Sequence, residues 1–421
     1  MAVGALQPQD AQRDSQHLYT DLIMKILHVI PYYAPAWTYG GSVRAAADLT
    51  RALAAEGHSV YVLTTDTLSS TERIPAHHEA IAGVHVFRVR NLSNRLRGKI
   101  NLSSPVGMAR LAEQLIEKHR IEVVHCHELR TVENVQVAPI ANRMRVPLVV
   151  SPHGTLPYDT GRPVIKQTWD RLLGANLLPR FDRVIALTQT EVEQARAIWY
   201  TQGLPAWCSI VPNGIHLSDF DNLPARGPFR ARWKLGSGPV VLFLGRLHER
   251  KGVQFLIPAF ADTVTHTPDA RLLVAGPDEG MLNTLKAQVN EYNLTGRVIF
   301  TGMLAGEDKL AALAASDLFA LPAVGEGFSM AVLEAMACGL PVLLTPGCNF
   351  PEVIDNGAGI VVGREVAALS GGLRALLADS SRREAMGRAA RQMIQTRYTW
   401  PQVVAQLIEV YRAVIERRRR K

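Results

Sequence analysis

A short β-branched run followed by an amphipathic stretch recurs along almost the whole chain, and no other feature limits the fold as tightly. KILHVIPY (25–32) reads as a strand, GSVRAAADLTRALAAEGH (41–58) as a helix closing on Gly57, and SVYVLTT (59–65) as the next strand. VHVFRV, VGMARLAEQLIEKH and IEVVHCH repeat the alternation, and PLVVSPHG and RVIALT supply further strands. After IVPNGIHLSDF the pattern restarts with PVVLFLGRL, RLLVAGP, RVIFTGM, DLFALPA and LPVLLTP, each run ending near Gly or Pro. Strands joined through helices pair in parallel, so the chain is expected to be α/β, with two successive doubly wound domains that join near residues 213–223. Ligands of such sheets sit at the carboxyl ends of the strands.

Length and composition agree with two domains. At 421 residues the chain exceeds one ordinary core, and 47% hydrophobic with 20% charged residues is a globular balance. No apolar run approaches the ~20 residues of a membrane span. Residues 1–23 are polar and lack a cationic start followed by an apolar core, so they do not read as a leader. Met24 opens MKILHVI; the expected native start is Met24, with 1–23 a disordered extension. Cys126, Cys208, Cys338 and Cys348 form no C-x-x-C pair, which points to a reduced, cytoplasmic compartment. In HCH (125–127) strand alternation puts the two histidines on one face and Cys126 on the other, so three ligands are not expected to converge there.

The net charge of +8 is uneven: NRLRGK (94–99), a group of Arg162, Lys166, Arg171, Arg180 and Arg183, and the tail RRRRK. Solvated surface is the plain reading; an anionic membrane surface is the sharper one. No helix-turn-helix, zinc knuckle or aromatic RNA-binding strand motif appears, so nucleic acid is not an expected partner.

The residues that carry chemistry gather at strand ends. In GRLHERKG (245–252), Arg246 offers a planar fork and Lys251 a mobile point charge, together matching the roughly two negative charges of a diphosphate. Two surface cations after a strand are the plain alternative. In YGGSVRAA (39–46), Gly40 and Gly41 stand at a helix start, where free N–H groups favour an anion and glycine lets it approach; a tight turn is the other reading. The stretch is not G-x-G-x-x-G, and Asp66 comes only after Thr64 and Thr65, so a dinucleotide is not expected. In VGEGFSMAVLEAMACGLPVL (324–343), Ser329 is the expected helix N-cap, Glu326 and Gly327 belong to the loop before it, and Glu334 lies more than a turn into the helix. Two carboxylates beside a phosphate would repel it. Their task is therefore to accept hydrogen bonds from hydroxyls, as a sugar and a ribose flanking a diphosphate would offer. His153 closes PLVVSPHG, as a site residue or a satisfied strand-end histidine.

GGS after the first strand, PNGIHLSDF, GRLHERKG, LLVAGP, VIFTGM and GEGFSMAVLEAMACGLPV resemble the retaining glycosyltransferases of family four, glycosyl transferases group 1, over about residues 24–410. The resemblance implies the GT-B fold: two Rossmann-like domains facing a central donor/acceptor cleft. Residues 24–213 would be the acceptor domain and 214–399 the nucleotide-sugar domain, with a helix at 400–421 crossing back. It further implies that Glu334 binds ribose hydroxyls and Glu326 lies against the transferred sugar. Backbone N–H groups of Gly327, Phe328 and Ser329 would contact that sugar. Arg246 and Lys251 would hold the diphosphate with the backbone of Gly40 and Gly41, and His153 would meet the sugar at the reaction centre. The family is independent of metal and cofactor. Asp219-Phe220-Asp221 spells the D-x-D of another glycosyltransferase architecture, but it follows PNG in the expected hinge and reads as turn chemistry.

Retention by double displacement needs a carboxylate nucleophile. The resemblance places none on that face, and implies front-side departure with the diphosphate accepting the acceptor's proton. The aromatic loop PYYAPAWTYGG, with Tyr32, Tyr33, Trp37 and Tyr39, suits acceptor sugar faces or packing beneath the loop. The expected function is transfer of a sugar from a nucleotide-diphosphate-sugar to a glycan or lipid-linked acceptor, in the cytoplasm or peripherally at a membrane. A nucleotide-sugar 2-epimerase and a non-catalytic nucleotide-sugar binder remain as alternatives.

Overall fold

The computed structural model describes residues 23–94, 103–158 and 162–420. The extension at 1–22 and the basic residues Arg95, Arg97 and Lys99 lie outside them. The chain divides into two compact units: Met1–Ala186 with Val192–Val211 and Val404–Lys421, and Leu187–Glu191 with Pro212–Val403.

The first unit is built on eight strands: β1 (Lys25–Val29), β2 (Ser59–Thr65), β3 (His78–Ile81), β4 (Val84–Val89), β5 (Val123–His127), β6 (Leu148–Ser151), β7 (Arg183–Ala186) and β8 (Cys208–Ile210). They lie in the order β3-β4-β2-β1-β5-β6-β7-β8. All neighbours pair in parallel except β3 and β4, a correction to the all-parallel expectation. That pair is a hairpin whose two turn residues, Ala82 (φ 47) and Gly83 (φ 81), both have positive φ, the geometry of a tight two-residue turn. Ala in place of Asn or Asp hid the turn in the sequence.

The second unit carries β9 (Val240–Leu244), β10 (Arg271–Ala275), β11 (Val298–Gly302), β12 (Leu318–Leu321), β13 (Val342–Leu344) and β14 (Gly359–Val361), in the order β11-β10-β9-β12-β13-β14. Every pairing is parallel. Both sheets start at an inner strand, run outward one way, then return to the other side of that strand. The order therefore reverses between β1 and β5 in one unit and between β9 and β12 in the other, and at such reversals the loops diverge and leave a crevice beyond the strand ends.

Burial follows from parallel pairing, because helices cover both faces. All five residues of β9, VVLFL, are buried, and so are those of β5, VVHCH. A buried strand of VVLFL needs no partners beyond its ladder, whereas buried His125 and His127 require hydrogen bonds. The last helix, Trp400–Arg419, starts in the second unit and belongs to the first from Val404 onward. Its Tyr411 is fully buried there.

Candidate active site

In the second unit the reversal point collects the expected residues. Arg246 stands two residues past β9, and Lys251 ends a short 3-10 turn, Glu249–Lys251, capped by the His248 imidazole accepting from the Arg250 amide. Gly252 then opens the helix Val253–Val264 in the left-handed region at φ 80, and a Cβ there would run into the Pro322 carbonyl. Glycine is required on both counts, and this close approach brings Lys251 beside the loop that leaves β12. A Gly252→Ala variant is expected to lose at least ~1–2 kcal/mol from the left-handed backbone alone. It should also weaken nucleoside-diphosphate binding; urea titration and calorimetry on the same sample check both.

Glu326 lies in that loop. Its amide donates to the Gly347 carbonyl at 2.9 Å, and Asn349 Nδ2 donates to its carbonyl at 2.5 Å. Ser329 occupies the N-cap of the helix Met330–Ala337, as expected, but its side chain makes no capping bond. The Phe328 ring packs edge-on against Phe350 at 5.1 Å and beside Tyr398 at 5.7 Å, anchoring the helix start from below. Glu334 sits one turn further along.

The charges here are paired in a way the sequence did not disclose. Lys251 Nζ lies 2.7 Å from Glu326 Oε1, Lys309 Nζ lies 2.7 Å from Glu334 Oε1, and Arg246 meets Glu279 at 2.7 Å. The first pair is well covered, with 17% and 14% of the side chains exposed, whereas the Arg246 side chain is 61% exposed. An exposed pair of that kind contributes at most ~1 kcal/mol and opens readily for a better anion. Lys309 and Glu279 were missed. Glu279 lies four residues past β10, and that position was the available signal; Lys309 lies inside the helix Gly306–Ala315 after β11, where nothing in the sequence marked it.

In the first unit Gly40 caps the helix Gly41–Ala55 at φ 99, with ψ −157, a conformation suited to glycine. Ser42 Oγ donates to Glu128 Oε1 at 2.8 Å, so a carboxylate just beyond β5 stands against the glycine turn. Glu128 adopts φ 60, and His153, two residues past β6, adopts φ 56. Two non-glycine residues in the left-handed region at the carboxyl edge of one sheet is a pattern that marks strained functional loops.

His153, half-buried, ends a network of buried imidazoles. His28 Nδ1 lies 2.9 Å from His127 Nε2, and His127 Nδ1 lies 2.8 Å from His153 Nε2. His125 is bound on either side by Tyr411 Oη at 2.6 Å and Ser151 Oγ at 2.8 Å. Burial disfavours the charged ring at each: it lowers His28 to about 3 and His153 to about 4, and holds His125 and His127 well below the usual value, so all four are neutral at pH 7. His28, His125 and His127 also bring nitrogens within 4.8 Å of one another. This corrects the expectation that ligands could not converge at HCH: alternation does separate Cys126, but the adjacent strand supplies a third imidazole. Hydrogen bonds already engage both nitrogens of His125 and of His127.

Packing bears on two other readings. Tyr32 and Tyr33 are buried, at 3% and 2% exposure; Tyr33 is bonded to Thr50, and Tyr39 stacks on Tyr32 at 3.6 Å. Of the four aromatics Trp37 is the most open, 43% exposed with Arg44 over its ring, and Tyr39 is half-buried. In the D-x-D triplet, Phe220 is buried and Asp221 is held by Arg391 at 2.8 Å.

Two doubly wound sheets, parallel but for the β3/β4 pair, each with an order reversal and charged residues beyond its strand ends, give a two-domain α/β architecture whose ligands are expected at those ends. Residues 228–393 match the family described as glycosyl transferases group 1, and residues 40–214 match the glycosyl transferase 4-like domain. The chain is 32% identical to the GDP-mannose-dependent monoacylated alpha-(1-6)-phosphatidylinositol monomannoside mannosyltransferase of Corynebacterium glutamicum, over 59% of this chain and 69% of that protein. It is 26% identical to an uncharacterized glycosyltransferase of Methanocaldococcus jannaschii, over 93% of this chain and 99% of the other. Anabaena HepE, solved in complex with UDP and glucose, shares the fold at a TM-score of 0.70 and 22% identity, over 93% of this chain and 100% of that one. The fold is GT-B, and the chain belongs to the group 1 glycosyltransferases, family four.

Proposed function

We propose that the enzyme transfers a sugar, with retention of anomeric configuration, from a nucleotide-diphosphate-sugar to a lipid-linked or glycan acceptor. The observation that carries this reading is the group Arg246, Lys251 and Glu326 at the β9/β12 reversal, where two cations and a carboxylate adjoin an open helix start. Arg246 and Lys251 take the diphosphate, exchanging their carboxylate partners for phosphate oxygens as charge grows on the leaving group. Glu334 accepts from the ribose. Glu326 and the amides of Gly327, Phe328 and Ser329 face the transferred sugar. For the first unit, the family resemblance assigns the backbone N–H groups of Gly40 and Gly41 to a diphosphate and neutral His153 to the sugar as a hydrogen-bonding group. Two cations balance the diphosphate, so the reaction needs no metal.

The mannosyltransferase relative is named for GDP-mannose, and HepE was solved with UDP and glucose, so a donor panel must include both bases. The test is product formation from each donor in excess chelator, with the anomeric configuration of the product read by NMR. Inversion, or turnover that returns only with added magnesium or manganese, would overturn this reading.

A lipid-linked acceptor is supported by the segment after His153. Val164 (71%), Ile165 (47%) and Leu172 (67%) are exposed, amid Arg162, Lys166 and Arg171. Apolar side chains among cations fit an anionic membrane surface, each buried Leu-sized side chain giving ~1.5–3 kcal/mol and each nearby cation ~1 kcal/mol. The tail adds less than its composition implies, because Arg417 lies over Trp207 at 4.5 Å and Arg418 pairs with Asp182. A Val164→Asp/Leu172→Asp double variant is expected to lose at least about tenfold in partitioning to anionic vesicles. Equal partitioning of variant and wild type would remove this face from the membrane.

A further inference from the structure

We propose that His127 and His28 are positioning residues for His153: a chain of three imidazoles fixes its ring plane and leaves its proton on Nδ1. The inference rests on the reading that His153 meets the transferred sugar, and it extends that reading to two residues to which neither the motifs nor the resemblance gives a role. The chain runs across the order reversal of the first sheet, from β1 through β5 to the loop after β6. Its two links are 2.9 Å and 2.8 Å, and the His127 and His153 rings are within 9° of parallel. His153 has left-handed backbone geometry, which by itself does not select a rotamer. The bond to His127 does.

The tautomer follows from donor arithmetic. A neutral imidazole has one N–H, so in a chain joined through both nitrogens of His127 all donors must point the same way. If they point away from His153, then His127 donates to His28 Nδ1, and the His28 proton must sit on Nε2. That atom is buried and has no hydrogen-bond partner among the described residues. If they point toward His153, His28 donates from Nδ1 and only a lone pair is left at Nε2. Orphaned buried donors are rarer than under-satisfied acceptors, so the second direction is favoured. His153 then accepts at Nε2 and carries its proton on Nδ1, as a donor toward a sugar hydroxyl oxygen. His125 imposes no opposing direction, because its partners Tyr411 and Ser151 are hydroxyls that can give or take a proton.

Two measurements on the full chain test this. With ¹⁵N-histidine labelling, assigned by a His153→Gln variant, the nitrogen shifts should show His153 protonated on Nδ1 in the wild type and a mixture of tautomers in His127→Phe. Protonation on Nε2, or a mixture in the wild type, would overturn the proposal. Turnover of whichever of UDP-glucose and GDP-mannose the enzyme uses gives the second readout. His127→Phe should lower kcat by about tenfold or more, as misplaced groups do, with little change in KM. His127→Asn, whose amide can replace the Nδ1 donor, should recover most of that loss. In a His153→Ala background His127→Phe should cost nothing further, because both act through one group. Additive losses in the double variant would make His127 merely structural. If His153→Ala itself retained wild-type turnover, the reading of His153 at the reaction centre would fall, while the tautomer result would still judge the chain.

Discussion

A Glu326→Gln enzyme is expected to lose at least about 10²-fold in kcat while binding free nucleoside diphosphate as tightly as the wild type or more tightly. Positive charge develops on the sugar ring as the diphosphate departs, and a carboxylate against that sugar stabilises it only then, so the loss falls on turnover. The structure adds the second half. Glu326 holds Lys251 at 2.7 Å, and glutamine, which keeps the size but not the charge, releases that ammonium for phosphate. Glu334→Gln should behave in the opposite way. Its pair with Lys309 is remote from the sugar in this scheme, and loss of a charged acceptor for ribose raises KM and weakens free nucleotide alike, by ~1.5–3 kcal/mol. Calorimetry with nucleoside diphosphate, beside steady-state turnover, separates the two. Matching losses of nucleotide affinity in both variants, with turnover kept, would show the roles wrongly divided.

Stability should collapse in mild acid. His28, His125, His127 and His153 are neutral in the fold because burial penalises the imidazolium, whereas in the unfolded chain each titrates near 6.5. The folded values are depressed, so this stability is fully present above pH 6.5 and is lost as pH falls, down to about 4 for His153 and about 3 for His28. Each proton bound only by the unfolded chain costs ~1.4 kcal/mol per pH unit, so four approach ~5 kcal/mol per unit. Against a typical total of ~5–15 kcal/mol, about one to three pH units are enough. Urea midpoints between pH 7.5 and 5 measure the slope, and His28→Asn should lower it by one proton's worth. A flat midpoint over that range would mean that the network takes up protons without unfolding.

Much of this was legible in the sequence because parallel strands buried on both faces spell continuous apolar runs, as VVLFL and RLLVA do. The order reversals follow from that alternation, and they explain why Arg246, Lys251, Glu326 and His153 stand at strand ends. What escaped was short or relational. The hairpin of HEAI turns on Ala82-Gly83, a weaker signal than Asn-Gly, and β8 and β14 have three residues each. His28 reads as one polar residue in an apolar strand until the β1/β5 register sets it opposite His125. The pairings Lys251–Glu326 and Lys309–Glu334 join residues 75 and 25 positions apart, beyond the reach of any local pattern. The aromatic loop was ambiguous for the opposite reason: Tyr32 and Tyr33 have a composition that suits sugar faces or packing alike, and only their position shows that they are buried.

The most direct measurement is calorimetric titration of UDP and GDP into wild type and Lys251→Ala, in chelator, with folding of both confirmed by urea titration. The result expected is binding of one nucleotide by the wild type and a loss of at least about tenfold in Lys251→Ala, since a charged hydrogen bond to phosphate contributes ~1.5–3 kcal/mol. Equal affinity in the two proteins would contradict a diphosphate held at the ends of β9 and β12.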